Sequence, residues 1–192
     1  MSDPLEMFLN AVEASDDPGA ERAAVTLSDA SRDPLPALRR MLMGPEVNRR
    51  WWAVRALAAL GTEGAVEPII GALTDPDGDV RACAVVALAH LRPQAGIDPL
   101  VARLSDRSAY VGRLAADALS QFGPPAVEAL VRALEEGDTP ARAGAARALS
   151  VLGSPRAIPA LCRALDDPSA TVTHYARQAL DRMGVGITLF RP

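Results

Sequence analysis

Histidine and cysteine are the residue types in this sequence whose spacing could form a metal site or a nucleophilic site. The histidines are His90 and His174, and the cysteines are Cys83 and Cys162. The histidines fall at different positions along helices and have no neighbouring ligand set, so we expect no metal site. The cysteines lie far apart without a CxxC partner, which predicts free thiols packed as small apolar side chains in a reducing compartment. We therefore predict no catalytic residue, no metal ligand and no cofactor.

The acidic segment DPDGD, residues 75–79, is a second candidate for chemistry because it resembles part of a calcium loop. Its glycine stands at the fourth place and no glutamate closes the segment, which departs from the calcium-loop pattern. We interpret it instead as a turn that caps a helix. The sequence also lacks a glycine-rich phosphate loop and a nucleophile elbow.

Composition and charge restrict the partners that this chain could bind. The 192 residues are 49% apolar but only 4% aromatic, which predicts a core of many similar contacts between leucine, valine, isoleucine and alanine. The formal net charge is −4, so nucleic acid and an anionic membrane surface are not expected partners. The first residues lack the pattern of a secretory signal, and no apolar run is long enough to span a bilayer. We predict a cytoplasmic protein.

A repeat of about 31 residues organises the chain. Two interleaved series of leucines step through the sequence at intervals of 30 or 31 residues. The first series is Leu57, Leu88, Leu119, Leu149 and Leu180, and the second is Leu42, Leu73, Leu104, Leu134 and Leu165. Chance does not produce two such series, so the repeat is a property of the fold.

Each leucine lies near the end of a predicted amphipathic helix, and two kinds of helix alternate. First helices carry alanines on their apolar face, as at Ala53 and Ala56, and a methyl group lets two helix backbones approach closely. Second helices carry an aliphatic stripe, as at Val66 and Ile69. The predicted helices lie near residues 3–14, 20–30, 34–43, 48–60, 65–74, 79–91, 95–105, 110–122, 125–135, 140–152, 156–166 and 171–183.

These helices predict an all-α fold, a right-handed α–α superhelix (α solenoid) of about five helical hairpins in a single domain over residues 1–192. The hairpins lie near 20–43, 48–74, 79–105, 110–136 and 140–166, with flanking helices 3–14 and 171–183. The tail, residues 184–192, is apolar but lacks a helical period. Two roles stay open for the tail: it covers the end of the last helix, or it makes an extended contact in a dimer.

The segment that runs from Asp75 through Val80-Arg81 to Ala87-Leu88 resembles a HEAT repeat. More narrowly, it is similar to the short HEAT-like repeats of the phycobilin-lyase type, and the resemblance covers about residues 20–184. This resemblance implies a stacked row of aspartates and arginines that ties neighbouring repeats together, with a structural role for Asp75, Arg81, Arg142 and Asp167. Arg50 occupies the arginine column, whereas Gly112 and Thr173 depart from it and indicate a broken row.

The resemblance also implies that a partner binds on the concave face, which the second helices line. The candidate contact residues on that face are Arg40, Glu67, Gly71, Asp98, Ala102, Arg103, Glu128, Arg132 and Arg163, to which we add Trp51. Two alternatives stay open for this face: it is simply solvated, or Glu128 and Arg132 pair within one helix at the i, i+4 spacing.

Trp51 and Trp52 differ in their predicted surroundings. Trp51 points away from the apolar face of its helix, so we expect it to be at least half exposed or covered by the N-terminal helices. Trp52 lies on the flank of that face and is expected to pack between repeats. An exposed tryptophan is a common anchor in protein interfaces, which is why Trp51 is a candidate contact.

The sequence thus predicts a non-enzymatic scaffold or adaptor that binds another protein, and that is itself a monomer or a weak dimer. The alternative is a HEAT-like chromophore lyase of the phycobilin type, because lyase activity is the best-known enzymatic role in the family that the repeats resemble. A third class, a nucleic-acid-binding helical-repeat protein, is opposed by the acidic residues in the middle repeats.

Overall fold

The computed structural model describes residues 3–185, and this part of the chain contains α-helices, short 3₁₀ turns and loops without a β-strand. The helices are α1 (Pro4–Glu13), α2 (Asp17–Ala24), α3 (Leu35–Leu42), α4 (Val47–Leu60), α5 (Glu63–Ala72), α6 (Gly78–Leu91), α7 (Ile97–Ala102), α8 (Ala109–Gln121), α9 (Val127–Glu136), α10 (Thr139–Leu152), α11 (Ile158–Arg163) and α12 (Ala170–Arg182). The predicted all-α class and the alternation of first and second helices are confirmed. The predicted tail covers residues 184–192, and its part after Val185 lies outside the described residues.

The boundaries of α2, which ends at Ala24 instead of residue 30, and of two second helices differ most from the prediction. The helix expected near 95–105 is a six-residue α-helix, α7, with the 3₁₀ turns Gln94–Gly96 and Arg103–Ser105 at its ends. The helix α2 begins at Asp17 instead of residue 20, because Asp16 caps its N-terminus by accepting a hydrogen bond from the Gly19 N–H at 3.0 Å.

Contacts along the chain form two compact units, Met1–Pro93 and Gln94–Pro192, and each has its own leucine-rich core. In the first unit the largest fully buried side chains are Phe8, Leu27, Leu38, Leu57, Ile69, Leu73 and Leu88. In the second they are Leu100, Leu119, Leu130, Leu149 and Leu161. Members of both leucine series are therefore core residues. The prediction of a single domain over residues 1–192 stays a prediction.

Alanines form the inner face of the first helices, as the sequence pattern indicates. Ala53 and Ala56 are fully buried on α4, which packs against α6 in the first unit. Ala145 and Ala148 have the same role on α10, which packs against α8 and α12 in the second unit. Small side chains let these helices pack closely while the leucines fill the space toward the second helices.

The first helices α4, α6 and α10 end in a left-handed residue. Gly61 after α4 and Gly153 after α10 have φ values of 60° and 59°, a conformation that glycine adopts without strain. Arg92 occupies the same position after α6 with φ of 50°, so the left-handed cap persists there without glycine. The caps turn the chain sharply into the next second helix.

Candidate functional site

In the first unit, α3 and α5 turn one face to solvent. Pro36 and Arg40 on α3 are exposed, as are Glu67 and Gly71 on α5. These four residues occupy the positions that the repeat register assigned to a partner-binding face. They are the part of the second-helix surface that belongs to the first unit.

A groove of about 530 Å³ lies beside these residues, between the C-terminal half of α3 and α5. Its apolar lining includes Leu42, Met43 and Pro68, and its polar lining includes Arg39 and Glu67. Met43 is 88% exposed although it is apolar. The groove is therefore an open apolar trough with a cation and an anion at its edges.

In the second unit, α7, α9 and α11 carry the matching positions. The exposed residues of the second-helix surface in this unit are Asp98, Ala102, Glu128, Arg132, Pro159 and Arg163. A second groove of about 530 Å³ lies between α7 and α9 and is lined by Asp98, Ala102, Arg132 and the small residues Ala129 and Ala133. Each unit therefore has an exposed second-helix surface with a groove beside it.

Ion pairs between neighbouring second helices cross the surface of the second unit. Arg132 on α9 lies 3.2 Å from Asp98 on α7, and Arg163 on α11 pairs with Glu135 on α9. The alternative that Arg132 pairs with Glu128 of its own helix is therefore wrong, because the guanidinium reaches across to the preceding second helix instead. Both members of the Arg132–Asp98 pair are exposed, so its contribution to stability is small.

Arg103 differs from the other candidate residues. It begins the 3₁₀ turn after α7 and is only partly buried, and its guanidinium lies 3.6 Å from the carboxylate of Asp106, whose side chain is almost fully buried. The residues in the same register column, Ala72 and Ala133, are buried. A partner would reach this column less easily than the columns of Glu67 and Gly71.

The two tryptophans belong to a small aromatic cluster. Trp52 is 4% exposed, its indole N–H donates to Asp17 Oδ1 at 3.1 Å, and its ring meets Phe8 edge-on. The expectation that Trp52 packs between repeats is confirmed. Trp51 is partly buried with its ring edge-on to Trp52 at a centroid distance of 5.0 Å, so the first alternative, that it is at least half exposed, is wrong. The second alternative, that the N-terminal helices cover it, stays a prediction.

Arginines near the start of the first helices donate hydrogen bonds to carbonyls in the turn before their own helix. Two of them, Arg50 and Arg142, also bind an aspartate in the turn before the next first helix. Arg50 donates to both carboxylate oxygens of Asp75, at 2.7 and 3.0 Å, and its remaining nitrogen donates to the carbonyls of Gly44 and Pro45. Arg81 is buried and donates to the carbonyls of Asp75 and Pro76. These contacts are structural, as the resemblance to HEAT repeats implied.

The same arrangement recurs in the second unit, where Arg142 donates to both carboxylate oxygens of Asp167, at 2.7 and 3.2 Å. Hydrogen bonds from Arg142 hold the pKa of Asp167 below its usual value. Burial by itself raises the pKa of Asp75, but the hydrogen bonds from Arg50 and from the Asp77 N–H outweigh burial and lower the pKa. Both carboxylates are therefore ionised structural partners at neutral pH.

Segment 75–79 is a helix-capping turn, as interpreted from the sequence. Asp77 is the N-cap of α6, and its carboxylate accepts hydrogen bonds from the Asp79 N–H at 2.9 Å and the Val80 N–H at 3.3 Å. The carboxylate of Asp75 forms a salt bridge with Arg50. Among residues 3–185, no group of three or more histidines, cysteines and acidic residues is arranged to hold a metal ion.

The two cysteines have different surroundings. Cys83 lies in a small pocket of about 310 Å³ between α2, α4 and α6, and burial raises the pKa of its thiol to about 12. It is therefore protonated at neutral pH and is a poor nucleophile. Cys162 is exposed, so the expectation that it is a core residue is wrong. In the described chain no second helix follows α11, and that flank of the helix stays uncovered.

Sequence reasoning missed two residues that line the first groove, Arg39 and Met43. Arg39 is the residue before Arg40, so a helical wheel places the two about 100° apart and assigns only one to the partner-facing column. The signal that could have identified Met43 is its position just after α3, where an apolar side chain has no helix partner. Over the described residues, no helix is both long and apolar enough to cross a bilayer.

The HEAT repeats family matches this sequence over residues 5–89, 35–108 and 97–181. The chain therefore belongs to the HEAT-repeat family, in agreement with the arginine–aspartate pairs and the alternating helices described above. No curated protein matches the sequence significantly.

Solved structures with a similar fold include designed and natural repeat proteins. The crystal structure of an engineered protein is 22% identical, with a TM-score of 0.56, and the match covers 96% of this chain and 98% of that chain. A designed armadillo repeat protein in complex with the peptide (KR)4 is 20% identical, with a TM-score of 0.51 and coverage of 95% and 100%. The complex of CpcE and CpcF of phycocyanin lyase from Nostoc sp. PCC7120 is 22% identical, with a TM-score of 0.51 and coverage of 76% and 96%. These similarities show the repeat-solenoid fold.

Proposed function

We propose that this chain is a non-enzymatic scaffold or adaptor that binds another protein through the second-helix surface. The observation that carries the proposal is that both units expose the same register positions, for example Glu67 and Gly71 in the first and Glu128 and Arg132 in the second. Each unit also has a groove of about 530 Å³ beside those positions. Stacked helical repeats pack one face of each helix into the core and leave a continuous surface of second helices exposed, and repeat proteins commonly bind partners on such an extended surface.

The mixture of charges and small residues on this surface supports a protein partner. Glu128 has no ion-pair partner among residues 3–185, while Arg132 and Arg163 are held by carboxylates of neighbouring helices. Ala102 and Gly71 are exposed and leave room for side chains of a partner. Complementary polar groups around small, open positions are typical of specific interfaces rather than of membrane or nucleic-acid contact.

Charge reversals that keep the net charge constant test this proposal. The test variant is Glu128→Arg with Arg163→Glu on the second-helix surface, and its matched control is Arg113→Glu with Asp181→Arg on exposed positions of α8 and α12. Tagged protein is purified from its native host, and stoichiometric partners are identified by mass spectrometry. We expect the partner to be lost from the test variant and kept by the control. A partner that the test variant keeps and the control loses would assign binding to the first helices instead.

Trp51 is a separate candidate contact within this proposal. Its ring packs edge-on against Trp52 and only part of it reaches solvent. We expect Trp51→Ala to weaken partner capture while the far-UV circular dichroism spectrum stays unchanged. If the variant keeps both its fold and all its captured partners, Trp51 has no role in binding.

The alternative class, a HEAT-like chromophore lyase, rests on the similarity in fold to the CpcE and CpcF complex. The same purification separates the classes. A coloured tetrapyrrole that co-purifies with the chain would favour the lyase, and nuclease-sensitive material would favour a nucleic-acid-binding protein. A colourless stoichiometric protein partner favours the scaffold.

A further inference from the structure

We propose that the groove between α7 and α9 binds a basic segment of a partner protein, with an arginine or lysine side chain of that segment lying along the groove. This inference rests on the proposed function, because it names the chemistry of the partner at one part of the second-helix surface. The evidence comes from the charges in the lining of the groove, the hydrogen bonding of its carboxylates and the small residues of its floor.

The lining of this groove carries three carboxylates and one guanidinium. The carboxylates belong to Asp98, Glu136 and Asp138, and the guanidinium belongs to Arg132. Arg132 lies 3.2 Å from Asp98, so the charges of this pair cancel. Glu136 and Asp138 form no ion pair among residues 3–185. Three negative charges against one positive charge leave an excess of two negative charges, which is complementary to a basic partner.

Glu136 and Asp138 also keep carboxylate oxygens that accept no hydrogen bond from residues 3–185. Glu136 is exposed, and neither of its oxygens has a donor there. Asp138 accepts from the Ser105 hydroxyl and from the Ala141 N–H, but both bonds use Oδ1, so Oδ2 is open. These two hydrogen bonds, together with the charge of Arg142, lower the pKa of Asp138. Ionised carboxylates with open oxygens are strong acceptors for the N–H groups of a guanidinium or an ammonium group.

Arg142 on α10 does not supply the missing cation. Its Nε and Nη2 donate to the carboxylate of Asp167, and its Nη1 donates to the Gly137 carbonyl at 3.0 Å. The guanidinium is therefore held in a salt bridge with Asp167 and forms none with Asp138. The excess of negative charge in the groove is left for a partner to neutralise.

The distribution of the carboxylates favours a cationic chain over a metal ion. Asp98 lies on α7, Glu136 is the last residue of α9, and Asp138 is the N-cap of α10. Within the described part of the chain, no three acidic, histidine or cysteine residues are arranged to hold a metal ion. Carboxylates that are spread along a groove instead match positive charges that are spread along a peptide.

The floor of the groove is made of small side chains. The small residues in the lining are Ala102, Ala129, Ala133, Gly137 and Ala141. They leave a volume of about 530 Å³ open to a long side chain of a partner. Arginine and lysine combine a charged end with an aliphatic stem, so the stem can lie against the alanine methyl groups while the charged end meets the carboxylates.

The groove between α3 and α5 in the first unit has no such excess of charge. Arg39 and Glu67 lie in its lining without an ion pair, and their charges are opposite. Asp75 also lines it, but Arg50 neutralises this carboxylate in a buried salt bridge. A basic segment is therefore expected to bind to the second unit and not to the first.

Fluorescence anisotropy with labelled synthetic peptides of about eight residues tests the inference on the full chain. The probe alternates arginine with serine, and the comparison peptides replace arginine by citrulline, its uncharged isostere, or by glutamate. We expect the arginine–serine peptide to bind most tightly, with an affinity that falls as salt is raised. Equal binding of the citrulline peptide, or tighter binding of the glutamate peptide, would overturn the inference.

A charge-neutralising variant locates the peptide on the protein. Glu136→Gln with Asp138→Asn removes the two unpaired charges, and asparagine keeps an acceptor at the N-cap of α10. The matched control, Asp166→Asn with Asp181→Asn, makes the same change in net charge at exposed positions outside the groove. We expect the test variant to bind at least about fivefold more weakly, through the loss of two exposed charge pairs, and the control to bind within about twofold of the original chain.

A second variant narrows the groove without a change in charge. Ala102 is an exposed residue of the lining, so Ala102→Leu adds bulk over the floor and leaves the core as it is. Its control is Ala170→Leu, at the exposed first residue of α12. We expect weaker peptide binding by Ala102→Leu and unchanged binding by the control, with the same far-UV circular dichroism spectrum for both. If neither groove variant binds more weakly than its control, the inference fails.

The outcomes also separate this inference from the proposed function. If the peptide does not bind but the native partner is lost from the Glu128→Arg, Arg163→Glu variant, the basic-segment inference fails and the scaffold stands. If the peptide binds at the groove but no stoichiometric protein partner is captured from the native host, the proposed function fails while the preference of the groove stands. Spermidine that competes as well as the peptide, at equal positive charge, would overturn the choice of a protein segment.

Discussion

Asp75 shows how one carboxylate can connect two repeats. Both it and Arg50 are nearly buried, at 8% and 9% side-chain exposure, and their bidentate pair joins α4 to the turn after α5. Loss of one member leaves the other charge buried without compensation, which costs several kcal/mol in other proteins.

We predict that Asp75→Asn lowers the free energy of unfolding by about 3 kcal/mol at neutral pH. The folded-state pKa of Asp75 lies below its ordinary value of 3.8, so its stabilisation is present above that pH and is lost as the pH falls through the folded-state pKa. The difference between the two proteins should therefore shrink below about pH 4. Urea unfolding at several pH values measures it. Asp181→Asn, at an exposed position on α12, is the control and should change stability by less than about 0.5 kcal/mol at any pH.

Two glycines within helices should respond in opposite ways to alanine. A Cβ at Gly112 on α8 would lie 3.0 Å from the backbone carbonyl of Leu104, which cannot move aside without shifting the 3₁₀ turn after α7. We predict that Gly112→Ala destabilises the chain by about 1–3 kcal/mol despite the better helix propensity of alanine. Gly71→Ala, in open space on α5, should instead stabilise it by up to about 1 kcal/mol. Thermal unfolding of both variants checks the signs, and stabilisation by Gly112→Ala would contradict the close approach.

At the scale of the helix, the leucine series marks the core positions. Leu119 on α8 is fully buried in the second unit. We predict that Leu119→Ala lowers the free energy of unfolding by about 2–5 kcal/mol, through lost burial and the cavity left behind. Val151→Ala is a matched control, because Val151 is 60% exposed on α10 of the same unit and should cost less than about 0.5 kcal/mol. A cost below about 1 kcal/mol for Leu119→Ala, measured by denaturant unfolding, would contradict its place in the core.

The helices themselves were predictable because their signals are local. The three- and four-residue spacing of alanine and leucine, the aspartate caps and the glycines after the first helices all act within one or two turns. The second helices were predicted too long, as α7 and α11 show. The apolar stripe of these helices continues into the flanking 3₁₀ turns. Because the spacing of apolar residues is similar in both, the sequence pattern does not show where the α-helix ends and a 3₁₀ turn begins.

At the scale of the whole chain, we predict a monomer with at most weak dimerisation. The mass of a monomer is 20.1 kDa, and among residues 3–185 the large apolar residues that are exposed are few, such as Met43 and Val86 in the first unit and Tyr110 and Val151 in the second. Stable dimers usually bury large apolar patches. Size-exclusion chromatography with light scattering measures the mass. Deletion of residues 186–192 is the comparison: a dimer that becomes monomeric on deletion would assign the contact to the tail.

Membership of the HEAT-repeat family is also a property of the whole chain, since it rests on the recurrence of one hairpin along residues 5–181. The same recurrence explains why function is harder to read than fold. Repeat proteins of this architecture share their buried columns and differ in the exposed ones, so the buried leucines identify the fold and carry no information about a partner.

The sequence by itself determined the helical repeat, the buried leucine and alanine columns and the capping role of residues 75–79, which follow from periodicity and from local contacts. The structural role of Asp75 and Arg142 was implied by the resemblance to HEAT repeats, and their ion pairs with Arg50 and Asp167 agree with it. The tertiary structure decided which neighbours the side chains outside the core contact: Arg132 pairs with Asp98, Trp51 packs edge-on against Trp52, and Cys162 is exposed. It also brought Arg39, Met43 and Gly71 together around one groove. The physical reason is that such contacts depend on how adjacent helices are placed, and a helical wheel contains only the direction of a side chain from its own axis.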